Sequence, residues 1–140
     1  MRTRRLHITL ASALALVAVA VASGAAMASS QGSHPDIGRI LFRLKANSVI
    51  CAMSRGSKTL VCFRPVNGAT AKLPRKGLAS AKIVKANRGV PPNARSALLL
   101  RRGHTYRTSV YRCSVKKNDA RCTNAGNHGF QIGKDAVYRF

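Results

Sequence analysis

The stretch CAMSRGSKTLVC, residues 51–62, places two cysteines on either side of a glycine-centred turn. A two-residue turn at Gly56-Ser57, with glycine first as a type II′ turn requires, sets Arg55 opposite Lys58. Counting outward pairs Ser54 with Thr59, Met53 with Leu60, Ala52 with Val61 and Cys51 with Cys62. Directly opposed residues of antiparallel strands lie about 4.5 to 5.5 Å apart, a span that a disulfide bridges. The stretch reads as a β-hairpin closed by its own disulfide.

A second pair repeats the arrangement near the other end of the chain. Cys113 and Cys122 flank SVKKNDAR, which is strand-like at its ends and turn-like in the middle. The expectation is a hairpin with a four-residue loop, Lys116-Lys117-Asn118-Asp119, and a second disulfide. Each bridge closes a short loop, worth roughly 3 kcal/mol if the effect is chain entropy alone. Zinc is the competing use of four cysteines. Its ligand spacing is missing, because there is no C-x₂-C and His34, His104 and His128 show no grouping. Neither a metal nor another cofactor is expected.

Disulfides require an oxidising compartment, and the first residues agree. Arg2, Arg4 and Arg5 precede an apolar run of about 17 residues, at the lower limit for a membrane span. Ala26-Met27-Ala28 then offers a small-x-small exit. This order is that of a secretory signal peptide, residues 1–28, cleaved after Ala28. A retained anchor is the alternative, but no basic stop-transfer cluster follows directly. The expected product starts at Ser29, is secreted or held in the cell envelope, and has a flexible tail (29–36) before a single domain (37–140).

The charge balance is extreme. Of 25 Lys and Arg, three fall in the leader, leaving 22 against Asp36, Asp119 and Asp135, with no Glu anywhere: a net of +19. So few acids cannot neutralise the basic side chains, and such a surface concentrates anions around it. The partner class expected is an anionic polymer or surface: teichoic acid, acidic polysaccharide, nucleic acid or anionic lipid. Candidate contacts are the paired bases Arg75-Lys76, Arg101-Arg102 and Lys116-Lys117. A plain solubilising role is the alternative use of that charge.

Short apolar runs separated by Gly, Pro and Asn, with no sustained 3.6-residue period, predict an all-β domain. Its architecture is a small disulfide-stabilised barrel or sandwich of short antiparallel strands. Strands are expected in ILFRLK, SVICAM, KTLVCF, AKIVKA, SALLLR, TYRTSVYRCSV and AVYRF, with a turn at Gly103-His104. The segment VNGATAKLPRKG reads as turn-rich and NRGVPPNAR as loop. Residues 79–88 are the one stretch that admits a short helix. The two cysteine hairpins, each preceded by a strand, hint at a duplicated unit.

RCTNAGNHGF, residues 121–130, resembles a catalytic motif at first sight but reads as a turn. An Asn side chain can bond nearby backbone groups, which suits Asn124. Gly126, Asn127 and Gly129 tolerate left-handed φ, and Phe130 then enters the core. His128 is the one residue here with catalytic potential, and Asp119 and Asp135 are the only acids near it in sequence. Triad and paired-carboxylate chemistry are poorly supplied, so no enzyme is expected.

The segments NSVICAM…VCF, YRCSV…ARCTNAGNHGF and AVYRF resemble a family of small secreted proteins of unknown function, found mainly in high-GC Gram-positive bacteria. Its pattern is S-G-N-I-x-C…C, then C-T-N-x-x-G-H-G-F, then a final Y-R-x-F. The likeness spans about half of the mature chain. Asn127 replaces the first glycine of G-H-G-F, and the middle third is short and lacks tryptophan and further cysteines. The resemblance implies export, disulfides and a β fold, and transfers no active-site residue. Two functions stand: a non-catalytic module on anionic envelope polymers, or a protein-binding effector or inhibitor that uses a disulfide-bounded loop.

Overall fold

A computed structural model describes residues 37–56, 58–83 and 87–140. The expected leader and the 29–36 tail lie outside them, as do Ser57 and residues 84–86. The fold is all-β. Strands β1 (Ile37–Arg43), β2 (Ile50–Ser54), β3 (Leu60–Phe63), β4 (Ala69–Leu73) and β5 (Ser80–Ile83) form an antiparallel meander. A two-residue strand, β6 (Leu98–Leu99), adds parallel to β1. The second sheet is another five-strand meander: β7 (Thr105–Arg107), β8 (Tyr111–Lys116), β9 (Asp119–Asn124), β10 (Gly129–Ile132) and β11 (Val137–Arg139). Neither sheet closes on itself, so the architecture is a sandwich, not a barrel.

The first hairpin forms in the register counted from its glycine: Cys51 opposes Cys62, Ala52 Val61 and Met53 Leu60. Ser54 donates to the Thr59 carbonyl at 2.9 Å, and Gly56 sits at φ 70° as the turn demands. Both disulfides pair within their hairpins, each with a Cα separation of 4.1 Å. The second hairpin is tighter than expected. Lys116 pairs with Asp119, which leaves a two-residue turn at Lys117-Asn118 in place of a four-residue loop. Lys117 takes φ 56° to close it, a conformation that a lysine gives no sign of adopting.

Two other expectations change. Within the 79–88 stretch, Ser80–Ile83 form strand β5, an edge strand pairing Ala71 with Ala81 and Thr70 with Lys82. The expected short helix is absent from it, because hydrogen bonding to β4 outweighs a weak local helical preference. The turn-rich segment after Val66 contains β4, whose Ala69, Ala71 and Leu73 are buried.

The burial pattern follows from what covers each sheet. In the second sheet, β8 and β9 alternate: Tyr111, Cys113, Val115, Ala120 and Cys122 point inward between exposed or half-buried neighbours. That is the signature of a sheet with one solvated face. Strand β3 is instead buried at every residue. Its inner face (Leu60, Cys62) joins the main core with Phe42, Phe130 and Ile132, and Phe63 faces outward. There Ile50, Phe63 and Ala94 form a second small core, with Ala94 supplied by a 3-10 turn at Pro92–Ser96. The middle of the chain thus covers the outside of the first sheet.

The hint of duplication has a structural counterpart. Each disulfide joins the second and third strands of its meander, and two residues beyond the second cysteine of each pair stands a buried polar side chain that crosses to the other sheet. Arg64 donates from Nη1 to the carbonyls of Gly133 (2.7 Å) and Lys134 in the β10–β11 turn, and from Nε to Ser48. Asn124 donates from Nδ2 to the carbonyls of Pro74 (3.0 Å) and Gly77 (2.9 Å) in the β4–β5 turn. The two sheets therefore clasp each other reciprocally, each through the turn between its partner's last two strands.

Candidate anion-binding cleft

RCTNAGNHGF forms the end of β9, a tight turn and the start of β10. Asn124 organises it. Its Oδ1 accepts from the N–H groups of Gly126 (2.9 Å) and His128 (3.2 Å), while Nδ2 makes the two cross-sheet bonds. Two donors and two lone pairs are all that an Asn amide offers, so the side chain is fully engaged. Of the three residues expected to use left-handed φ, only Asn127 does, at 61°. Gly129 is required for another reason. A Cβ there would strike the Cys122 carbonyl and lie 2.9 Å from the Phe140 ring, because Gly129 exchanges backbone hydrogen bonds with Phe140. His128 is half-buried beside Gly126, and its N–H serves the Asn124 cap.

The three basic pairs separate in space. Arg101, Arg102 and Lys117 come together, and Lys45 joins them, around a cleft of about 550 Å³. Three turns build its rim. Lys45 sits in the β1–β2 turn, closed by Leu44 donating to Val49 at 2.9 Å and Ser48 to Lys45 at 3.1 Å. Arg101 and Arg102 lie in a turn where His104 donates to the Arg101 carbonyl at 3.0 Å. That turn is tied to β8 by Gly103 donating to Val115, and to β1 by Leu100 donating to Arg43. Gly103 stands at φ 81°, which lets the chain reverse there. Lys117 projects from the tight tip of the second hairpin. Beneath these cations lies an aliphatic floor of Leu44, Leu99, Leu100 and Val115, with Asn118 alongside. Among the described residues no acid lines the cleft; Asp119 accepts a 3.0 Å hydrogen bond from Gln131 instead.

Lys116 is exposed but does not line the cleft. Arg75 lines a separate hollow with Lys58, Met53 and Tyr111, and Lys76 is exposed in the β4–β5 turn. Sequence reasoning found three of the four cleft cations from their pairing. It passed over Lys45, an isolated base in a turn.

The second hollow carries its own test. Tyr111 is buried, and its hydroxyl donates to the Lys58 carbonyl. Burial pushes the phenol above its ordinary value, against smaller lowering effects from a backbone bond at Leu60 and the charge of Arg75. An acid whose folded value is raised stabilises fully below the unfolded value, about 10, and loses that contribution as pH rises through the folded value. Tyr111→Phe should therefore cost about 1 kcal/mol at neutral pH through the lost hydrogen bond. It should also flatten the fall in stability above about pH 10. Urea titrations at pH 7 and 10.5 test both.

The Sγ atoms of Cys51, Cys62 and Cys122 lie within 4.8 Å of one another, so the two disulfides meet at the centre of the sandwich. As disulfides they offer no thiolate to a metal. No protein-family model, curated protein or solved structure matches the chain.

Proposed function

We propose that the protein is an exported, non-catalytic module that binds anionic cell-envelope polymers through the cleft rimmed by Lys45, Arg101, Arg102 and Lys117. One observation carries the reading: four cations from three separate turns converge on a single concavity that holds no acid among the described residues. Scattered solubilising charge has no reason to converge. The turns are fixed by backbone hydrogen bonds, two of them to β1 and β8, so the backbone positions that carry the cations are set before any ligand arrives. Two buried disulfides fit an oxidising compartment, and the leader ending at Ala28 supplies the route. The likeness to the small secreted family with the C-T-N…H-G-F ending points the same way. A non-catalytic role is favoured because Asn124 and Gly129 have structural duties and His128 sits in a turn built around Asn124.

Each cation that neutralises a phosphate releases a counterion, so log affinity falls linearly with log salt. Four contacts on a flexible polyphosphate give a slope of about −3, from about 0.7 per contact on a single strand. Retention on immobilised poly(glycerol phosphate) across a salt gradient measures it. Elution at or below physiological salt would reduce the charge to a solubility feature.

A further inference from the structure

A polyanion needs cations alone, yet the floor of this cleft is aliphatic. Leu44, Leu100 and Val115 are almost wholly buried, and Leu99 is half-exposed between them and the rim. The volume, about 550 Å³, is in the range of small-molecule sites, which are concave and largely apolar with a few charged groups that fix orientation. The charge of a polymer backbone accounts for the rim and leaves the floor unused. Among the described residues no aromatic side chain lines it, and base stacking needs such a platform. What remains is a ligand with an anionic head for the rim and a saturated chain for the floor.

Resting on the reading of this cleft as the anion site, we infer that its ligand is a lipid phosphate: a phosphate monoester whose head group sits among Lys45, Arg101, Arg102 and Lys117 and whose first methylenes lie on Leu99, Leu100 and Val115. The guanidinium groups of Arg101 and Arg102 suit the head, since Arg meets phosphate with two parallel hydrogen bonds. Strand β6 pairs with β1 and fixes Leu99 opposite Arg43, so the apolar floor and the basic rim are parts of one rigid edge. A membrane lipid that ends in a terminal phosphate would present this chemistry at the envelope surface.

The test is a chain-length series of alkyl phosphates (butyl, hexyl, octyl, decyl), each below its micelle concentration, with glycerol phosphate and decanol as references, measured by calorimetry on the purified protein. Each buried methylene is worth about a fourfold gain. Affinity should climb with length and then level off once the cleft is full, about 250-fold above glycerol phosphate if four methylenes are covered. Leu99→Ser should remove most of that gain, bringing decyl phosphate down toward glycerol phosphate, while Arg101→Ser/Arg102→Ser weakens every phosphate. Equal affinity for all the phosphates, still lost in the arginine double variant, would overturn the lipid inference and leave the anion site standing. Binding of decanol as tight as decyl phosphate would overturn it too. So would a rise with chain length that never levels off on the unaltered protein, the mark of adsorption rather than a cleft. Absence of any phosphate binding would overturn both readings together.

Discussion

Replacing Asn124 by Asp should destabilise the protein by about 3 kcal/mol at neutral pH, out of a total that for single domains is about 5 to 15. The substitution keeps the oxygen that accepts from Gly126 and His128 and changes only the two donors, which meet the Pro74 and Gly77 carbonyls. Those carbonyls lose their partner and face a carboxylate instead. A chain of this size loses roughly 4 to 8 °C of melting temperature per kcal/mol, so a fall of roughly 12 to 24 °C is expected. The folded form disfavours the introduced charge, so its carboxyl is raised above the unfolded value of about 4. The deficit is then full at neutral pH and shrinks as pH falls through that raised value. Melting curves at pH 7 and pH 4 give the comparison. A deficit independent of pH would show that the carboxylate does not face the two carbonyls.

Removing one hairpin's disulfide cleanly, by Cys51→Ala/Cys62→Ala or by Cys113→Ala/Cys122→Ala, should cost about 3 kcal/mol or more. The cystines span sequence separations of 11 and 9 and fill the centre of the core. Losing both should leave the chain unfolded at 37 °C, because about 6 kcal/mol is most of what such a domain has. Single substitutions should behave differently, since the two bridges touch. In Cys51→Ala the freed Cys62 thiolate can attack Sγ of Cys122, forming a Cys62–Cys122 bond and releasing Cys113 as the thiol. Peptide mapping of that variant should find the cross-sheet bridge alongside the native Cys113–Cys122. A free thiol confined to Cys62 would contradict the close approach of the sulfurs.

How much of this was legible in the sequence depends on the range of the interaction. The first hairpin could be counted residue by residue because Gly56 marks its turn and the register follows from chain length alone. The second tip is tighter than the sequence suggests because Lys117, and not the neighbouring Asn118, adopts the left-handed φ. Strand β4 was hidden by its alanines, which have low β-propensity. Their burial makes sense only beside β3, where Ala71 lies opposite Cys62. Asn124 was legible by halves. Its acceptor bonds are local, but its donors reach residues 47 and 50 positions earlier. Arg64 gave no signal, since an arginine before Pro65 and a turn reads as solvated, and its carbonyl partners Gly133 and Lys134 come 69 and 70 residues later. The cleft was legible as basic pairs and invisible as a cleft, because only the folded chain brings the β1–β2 turn, the β6–β7 turn and the second hairpin together.

The central claim is that binding is local to the cleft and not a property of the whole charge. Two variants that lose the same charge decide it: Arg101→Ser/Arg102→Ser within the cleft, and Arg75→Ser/Lys76→Ser outside it. Their affinities for poly(glycerol phosphate) are measured across a salt series. The cleft variant should bind at least tenfold more weakly than the other at physiological salt, with a log-log slope shallower than the parent's by about 1.4. The outer variant should keep nearly the parent slope. Equal losses in the two variants would contradict the claim and return the charge to the surface as a whole.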